Sequence, residues 1–199
     1  MAPVTAVAST RRSCYHLRMR PSLINTFILP LLGAAWLSAC NPTYNWRDYS
    51  SPDAPFHVMF PDKPAVHKRS VDVGGMQVDM TMTAVDVDGT TFAVGSAEAP
   101  DAARAASALG AMKTALMRNI GATVIKEKSA AAASVSGANS AQTTSIDIEA
   151  RGMQNGTPMK LVGHFASRDK RFYQVIVMGK EKSVSPEQAD QFIASFKLL

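Results

Sequence analysis

A Met-x-Met pair, a few histidines, two carboxylate pairs and one cysteine are the side chains here whose types and spacing could do chemistry. Met80-Thr81-Met82 sets two thioethers two residues apart, and soft sulfur suits Cu(I) in an oxidising compartment. The same residues continue an apolar stripe, where methionine is an adaptable filler of core space. Eight of the nine methionines after residue 40 fall in expected strands or the first expected helix, which favours the filler reading. His57, His67 and His164 lie on different expected strands with no metal-ligand spacing such as His-x-x-x-His. Each reads as a strand-surface or hydrogen-bonded histidine. Asp86 with Asp88, and Asp147 with Glu149, stand two apart on strands and so share a sheet face, which could cradle a divalent cation. The plainer reading gives the first pair to a hairpin turn at Gly89 and the second to a solvated face. The sequence contains no Gly-x-Ser-x-Gly elbow, no reactive cysteine with a histidine partner and no Gly-rich phosphate loop. No catalytic residue and no cofactor is expected, Met80 and Met82 being the candidates should a metal be bound. An enzyme would need His164 in a pocket beside a carboxylate.

The cysteine has a sharper context. Phe27 to Leu37 is an eleven-residue apolar run, the length of a signal-peptide core and short of the roughly 20 residues a membrane span needs. It ends in Leu37-Ser38-Ala39-Cys40, which resembles the lipobox of bacterial lipoproteins at all four positions. The resemblance implies that a signal peptidase recognises Leu37, Ser38 and Ala39, and that Cys40 becomes the first mature residue, bearing diacylglyceryl on sulfur and a further acyl group, typically palmitate, on its amine. Three chains exceed the two signals that stable anchoring requires. Asn41, where inner-membrane lipoproteins carry Asp, implies the periplasmic face of the outer membrane. The long leader, with Arg11, Arg12, Arg18 and Arg20, suggests that translation starts at Met19; peptides from upstream of Met19 in a digest would refute this. The expected organisation is thus a signal peptide over 1–39, a lipid-anchored tether over 40–55 and one domain over 56–199.

Net charge must be counted on what survives processing. The formal charge is +5, but removing the four leader arginines leaves 17 cations against 16 anions, or +1. Short basic clusters, Lys63 with Lys68-Arg69 and Arg168 with Lys170-Arg171, read as solvated turns, so no nucleic-acid partner is expected. Cys14 lies in the leader and Cys40 is committed to lipid, leaving no disulfide and no thiolate metal site.

Residues 41–55 carry three prolines amid Asn, Ser and Asp, the composition of a tether; Tyr44, Trp46 and Tyr49 within it could lie in the headgroups or dock on the domain. Such a tether would reach at most about 50 Å. Alternation predicts strands at Phe56 to Phe60, Val66 to Val73, Met76 to Val87 and Thr90 to Ala97, with Gly74-Gly75 and Asp88-Gly89 as hairpin turns. A helix follows Asp101, with Ala105, Leu109, Met112, Leu116 and Ile120 on one face and Gly121 as its stop. Thr123 to Lys128 reads as a strand and Ser129 to Ser140, rich in Ala, Ser and Gly, as a loop. Three strands then span Gln142 to Ala150, Pro158 to Ser167 and Arg171 to Met178. The last is apolar on both faces except at Gln174 and so belongs in the centre of a sheet. A closing helix starts at Ser185, with Pro186 at its first position and Gln188 completing a capping box.

Two helices and about seven strands predict an α+β sandwich built on a mainly antiparallel sheet. Phe56-His57-Val58-Met59-Phe60-Pro61, Gly163, Arg171-Phe172-Tyr173 and Phe192-Ile193-Ala194-Ser195-Phe196 resemble the PsbP-like fold, named for an extrinsic photosystem subunit and shared by many bacterial lipoproteins. That resemblance implies an accessory or binding protein more than an enzyme. The expectation is a non-catalytic envelope lipoprotein whose partner is another envelope protein or the cell wall, with a small-ligand or copper binder as the first alternative and an enzyme as the second.

Overall fold

A computed structural model describes residues 43–132 and 143–199. The chain runs β1 (Arg47–Ser50), β2 (Phe56–Phe60), β3 (Ala65–Val73), β4 (Met76–Val87), β5 (Thr90–Glu98), α1 (Ala102–Asn119), β6 (Thr123–Ala132), β7 (Thr143–Gln154), β8 (Thr157–Arg168), β9 (Arg171–Lys180), α2 (Pro186–Ser195) and β10 (Lys197–Leu198). Seven strands form one antiparallel sheet in the order β3-β4-β5-β9-β8-β7-β6, and β1, β2 and β10 form a second, small sheet in the order β1-β2-β10. This is the expected α+β sandwich.

Topology follows from turn chemistry and one crossover. The Gly74-Gly75 and Asp88-Gly89 links have both central residues at positive φ, which sets two tight hairpins in the first meander, β3-β4-β5. Helix α1 carries the chain to the far edge, from which β6-β7-β8-β9 return by hairpins until β9 pairs with β5. β9 is the fourth of seven strands, the position its two-sided apolarity predicts. Phe172 and Ile176 enter the core under α1, while Tyr173, Val175 and Val177 enter the core on the other face.

Each face has its own cover. The Asp101 side chain accepts the Arg104 N–H at 2.8 Å to start α1, whose Ala105, Ala108, Leu109 and Met112 are buried over β7, β8 and β9. Opposite, β2 (Phe56, Val58 and Phe60) and α2 (Ala189 and Phe192) close an aromatic core with Phe92 and Tyr173. Ser185 caps α2 by accepting from the Gln188 N–H at 3.4 Å. The reciprocal half of the expected capping box is not formed, because the buried Gln188 Oε1 has no partner.

Several boundaries differ from expectation: β7 runs to Gln154 rather than Ala150, β9 to Lys180 rather than Met178, β10 is an added strand, and two further differences change how the domain is read. The folded domain begins upstream of residue 56: the stretch expected to be a tether contains β1, paired with β2 from Arg47 opposite Phe60 to Ser50 opposite His57. Tyr44 and Trp46 stand edge-on to Phe92 at 6.2 Å, which makes docking on the domain the outcome for these rings. Burial, with the Asp88 carboxylate nearby, raises the Tyr44 phenol above its usual pKa. The prolines hid a strand whose partner is local but whose flanking rings dock on Phe92, 46 residues beyond Trp46. The other difference is at Ser129–Ala132, expected as loop, which continues β6 because Ser129 and Ala130 pair with Ile146 and Ser145 of β7. The rest of that stretch, 133–140, lies outside the described residues.

Candidate functional site

The seven-stranded sheet is wider than either cover. Because α1 sits over β7, β8 and β9, the same face of β3 and β4 is left beside it as the floor of a groove of about 610 Å3. That volume is within the range of small-molecule sites. Val71 of β3 and Met80 of β4 form one side, and Met112 and Leu116 of α1 form the other. Gln174 of β9 lies in the floor, half-buried, on the face that Phe172 and Ile176 share.

Gln174 reaches across β5 because residue 95 is glycine. A β-carbon there would stand 2.8 Å from both Gln174 Cγ and Met82 Sδ, closer than any side chain tolerates. The Gln174 amide nitrogen points at two thioethers, 3.5 Å from Met82 Sδ and 3.9 Å from Met80 Sδ, which are weak acceptors. On the rim, Arg69 of β3 and Arg118 in the last turn of α1 line the groove, and neither makes an ion pair among the described residues. The acidic lining residue, Asp72, is engaged in its own turn, accepting from the Gly75 N–H at 2.9 Å and the Gln77 amide at 3.5 Å.

The residues singled out by type fall in several places. Leu37, Ser38, Ala39 and Cys40 lie outside the described residues. Met80 and Met82 do come together on one face, against Gln174, and with Met76, Met112, Met117 and Met178 they line the α1-side core. His67 stands opposite Met82 in the β3–β4 register but is exposed. His57 pairs with Asp48 at 3.1 Å on the small sheet. Asp86 accepts from the Thr91 hydroxyl across the β4–β5 hairpin and Asp88 occupies the turn itself at φ 51°, as the plainer reading had it. Lys68 pairs with Asp53, Arg171 with Glu98, and Arg168 donates to the Leu199 carbonyl, which uses up much of the basic clusters.

Asp147 and Glu149 share the opposite face, and both have basic partners. Asp147 Oδ1 lies 2.5 Å from His164 Nδ1, directly across the β7–β8 ladder, so the carboxylate an enzyme would need beside His164 is present. No hydroxyl or thiol is hydrogen-bonded to His164 among the described residues. Glu149 binds Lys126 at 3.0 Å and Lys160 at 3.2 Å, and these hydrogen bonds hold its carboxyl below the usual range against the burial that opposes them. A second groove of about 510 Å3 lies over this row, between β6–β7 and α2, with Lys128, Asp147 and Ile193 in its walls. Among the described residues no three His, Cys, Asp or Glu side chains converge as a metal site, and no helix is long and apolar enough to cross a membrane.

Gln174 was visible in the sequence only as the polar break in an apolar strand; its role in the groove depends on Gly95 and on sulfurs about 90 residues earlier. Arg118 read as a cation suited to a helix end and Arg69 as one of a basic cluster. No protein-family model matches this chain, and no curated protein is significantly similar to it.

Proposed function

We propose that the protein is a cell-envelope lipoprotein, anchored through lipidated Cys40 to the periplasmic face of the outer membrane, that binds a partner or ligand without catalysing a reaction. The observation that carries this reading is the match of Leu37-Ser38-Ala39-Cys40 to a lipobox at all four positions, behind an eleven-residue apolar run. Tyr44 already packs on Phe92, so Asn41, Pro42 and Thr43 alone separate it from Cys40. Four residue steps extend at most about 14 Å, not the 50 Å of a free tether. A lipidated sulfur would hold the end of the domain near Tyr44 and Asp88 against the bilayer, and an envelope protein or cell-wall partner would have to meet it there. Support for the PsbP-like reading of the domain is an antiparallel sheet with a helix on each face.

Mass analysis of the membrane-extracted product tests the anchor. A mature chain starting at Cys40 with three acyl chains is expected, and a Cys40→Ser variant retains its leader. A bare thiol or an attached leader on the native product would refute the proposal.

Met80 and Met82, facing one amide on the floor of the larger groove, favour a second reading in the same compartment: a small-ligand or copper binder. Cu(I) would have to displace the Gln174 amide from both sulfurs.

A further inference from the structure

We infer that the groove between α1 and β3–β4 binds a single-chain amphiphile with an anionic head, the chain lying along Val71, Met80, Met112 and Leu116 and the head held between Arg69 and Arg118. The inference is independent of whether Cys40 carries lipid.

Three features of the groove point to this chemistry. Its long walls are aliphatic and thioether, Val71 and Met80 against Met112 and Leu116, and thioethers adapt to a flexible chain at little cost. Its rim carries two guanidinium groups, one from each wall, that no carboxylate among the described residues neutralises. Guanidinium is the side chain suited to bidentate binding of carboxylate and phosphate oxygens. Asp72, the acid in the lining, is held by Gly75 and Gln77 and does not substitute for a ligand. Gln174 adds a half-buried amide in contact with weak acceptors only, leaving capacity for a ligand oxygen.

Gly110 strengthens the argument. It sits in the interior of α1 and lines the groove, and a β-carbon built on it would meet nothing within 4 Å. Glycine inside a helix is less favourable than alanine, and here no neighbouring atom requires it. What it provides is open space along the groove wall.

That glycine also supplies the decisive variant. Gly110→Leu narrows the groove and improves helix propensity, and its β-carbon meets no atom within 4 Å. The full chain, lipidated or not, is irradiated with three photoreactive probes of equal chain length: a fatty acid, a lysophosphatidic acid and a fatty alcohol. Peptide mapping should place the label from one or both anionic probes on residues 110–118 and on β3–β4, with the alcohol at background. Arg69→Gln with Arg118→Gln should cut that labelling about tenfold, as expected for loss of a charge-assisted contact, and Gly110→Leu should abolish it. Labelling by the acid alone assigns a carboxylate head, and by the phosphate alone a phosphate head. Equal labelling by the alcohol, label outside the groove, labelling unchanged in Gly110→Leu, or no labelling by either anion would overturn the inference.

Discussion

The two faces of the central sheet are covered by different materials. On the α2 side the core is a set of interlocked rings: Phe192 lies 5.2 Å from Phe60 and 5.4 Å from Phe92, and Phe56, Tyr173 and Phe196 continue the cluster at 5.7 to 6.0 Å. On the α1 side the core is built from alanines, methionines and aliphatic residues around Phe165 and Phe172. Rings have few torsions and preferred edge-to-face geometries, so an aromatic layer holds one arrangement and needs a complete cover. Methionine has three flexible bonds and a polarisable sulfur, so the other layer can be left half open without losing its fit. The aromatic core is closed over by rings, and the methionine face leaves a groove open beside α1.

This contrast can be broken most forcefully at Phe192, which is fully buried among rings. Phe192→Ala should cost about 3–5 kcal/mol in chemical denaturation; a loss below about 1.5 kcal/mol would mean that the ring cluster is not the stabilising layer. Met80→Leu, also buried but on the adaptable side, should cost less than about 1.5 kcal/mol, and under the copper reading it would also weaken Cu(I) uptake. A cost equal to that of Phe192→Ala would erase the distinction between the layers.

The smallest effect sharpens the comparison at the charged row beside α2. The folded pKa of Glu149 is lowered by Lys126 and Lys160, so its stabilisation is fully present above the unfolded carboxylate value of about 4.3 and is lost as pH falls through the lower folded value. Glu149→Gln should therefore reduce stability at pH 7 by about 1 kcal/mol and flatten the acid limb of the stability profile below pH 4. An unchanged acid limb would show that the row is merely solvated.

Much of this architecture was legible in the sequence because it rests on local pattern. β4 begins and ends at Met76 and Val87 as alternation predicts, and the double-sided apolarity of Phe172 to Met178 placed β9 at the centre. What escaped depends on distant partners. β1 has no alternation of its own and exists because it pairs with β2 while Tyr44 and Trp46 find Phe92. The Ser-Ala end of β6 has weak strand propensity and is held by the β7 ladder. The His164–Asp147 pair required the β7–β8 register, and the groove required knowing that α1 is narrower than the sheet it covers.

The pairing of β1 with β2 also decides how the molecule would carry mechanical load. A pull applied at the amino-terminal end enters through four antiparallel ladder positions and passes into the layer of interlocked rings, the stiffer half of the protein. The methionine-lined half lies on the opposite face of the same sheet, so tension on the chain ahead of Tyr44 reaches the ring layer before it reaches the groove.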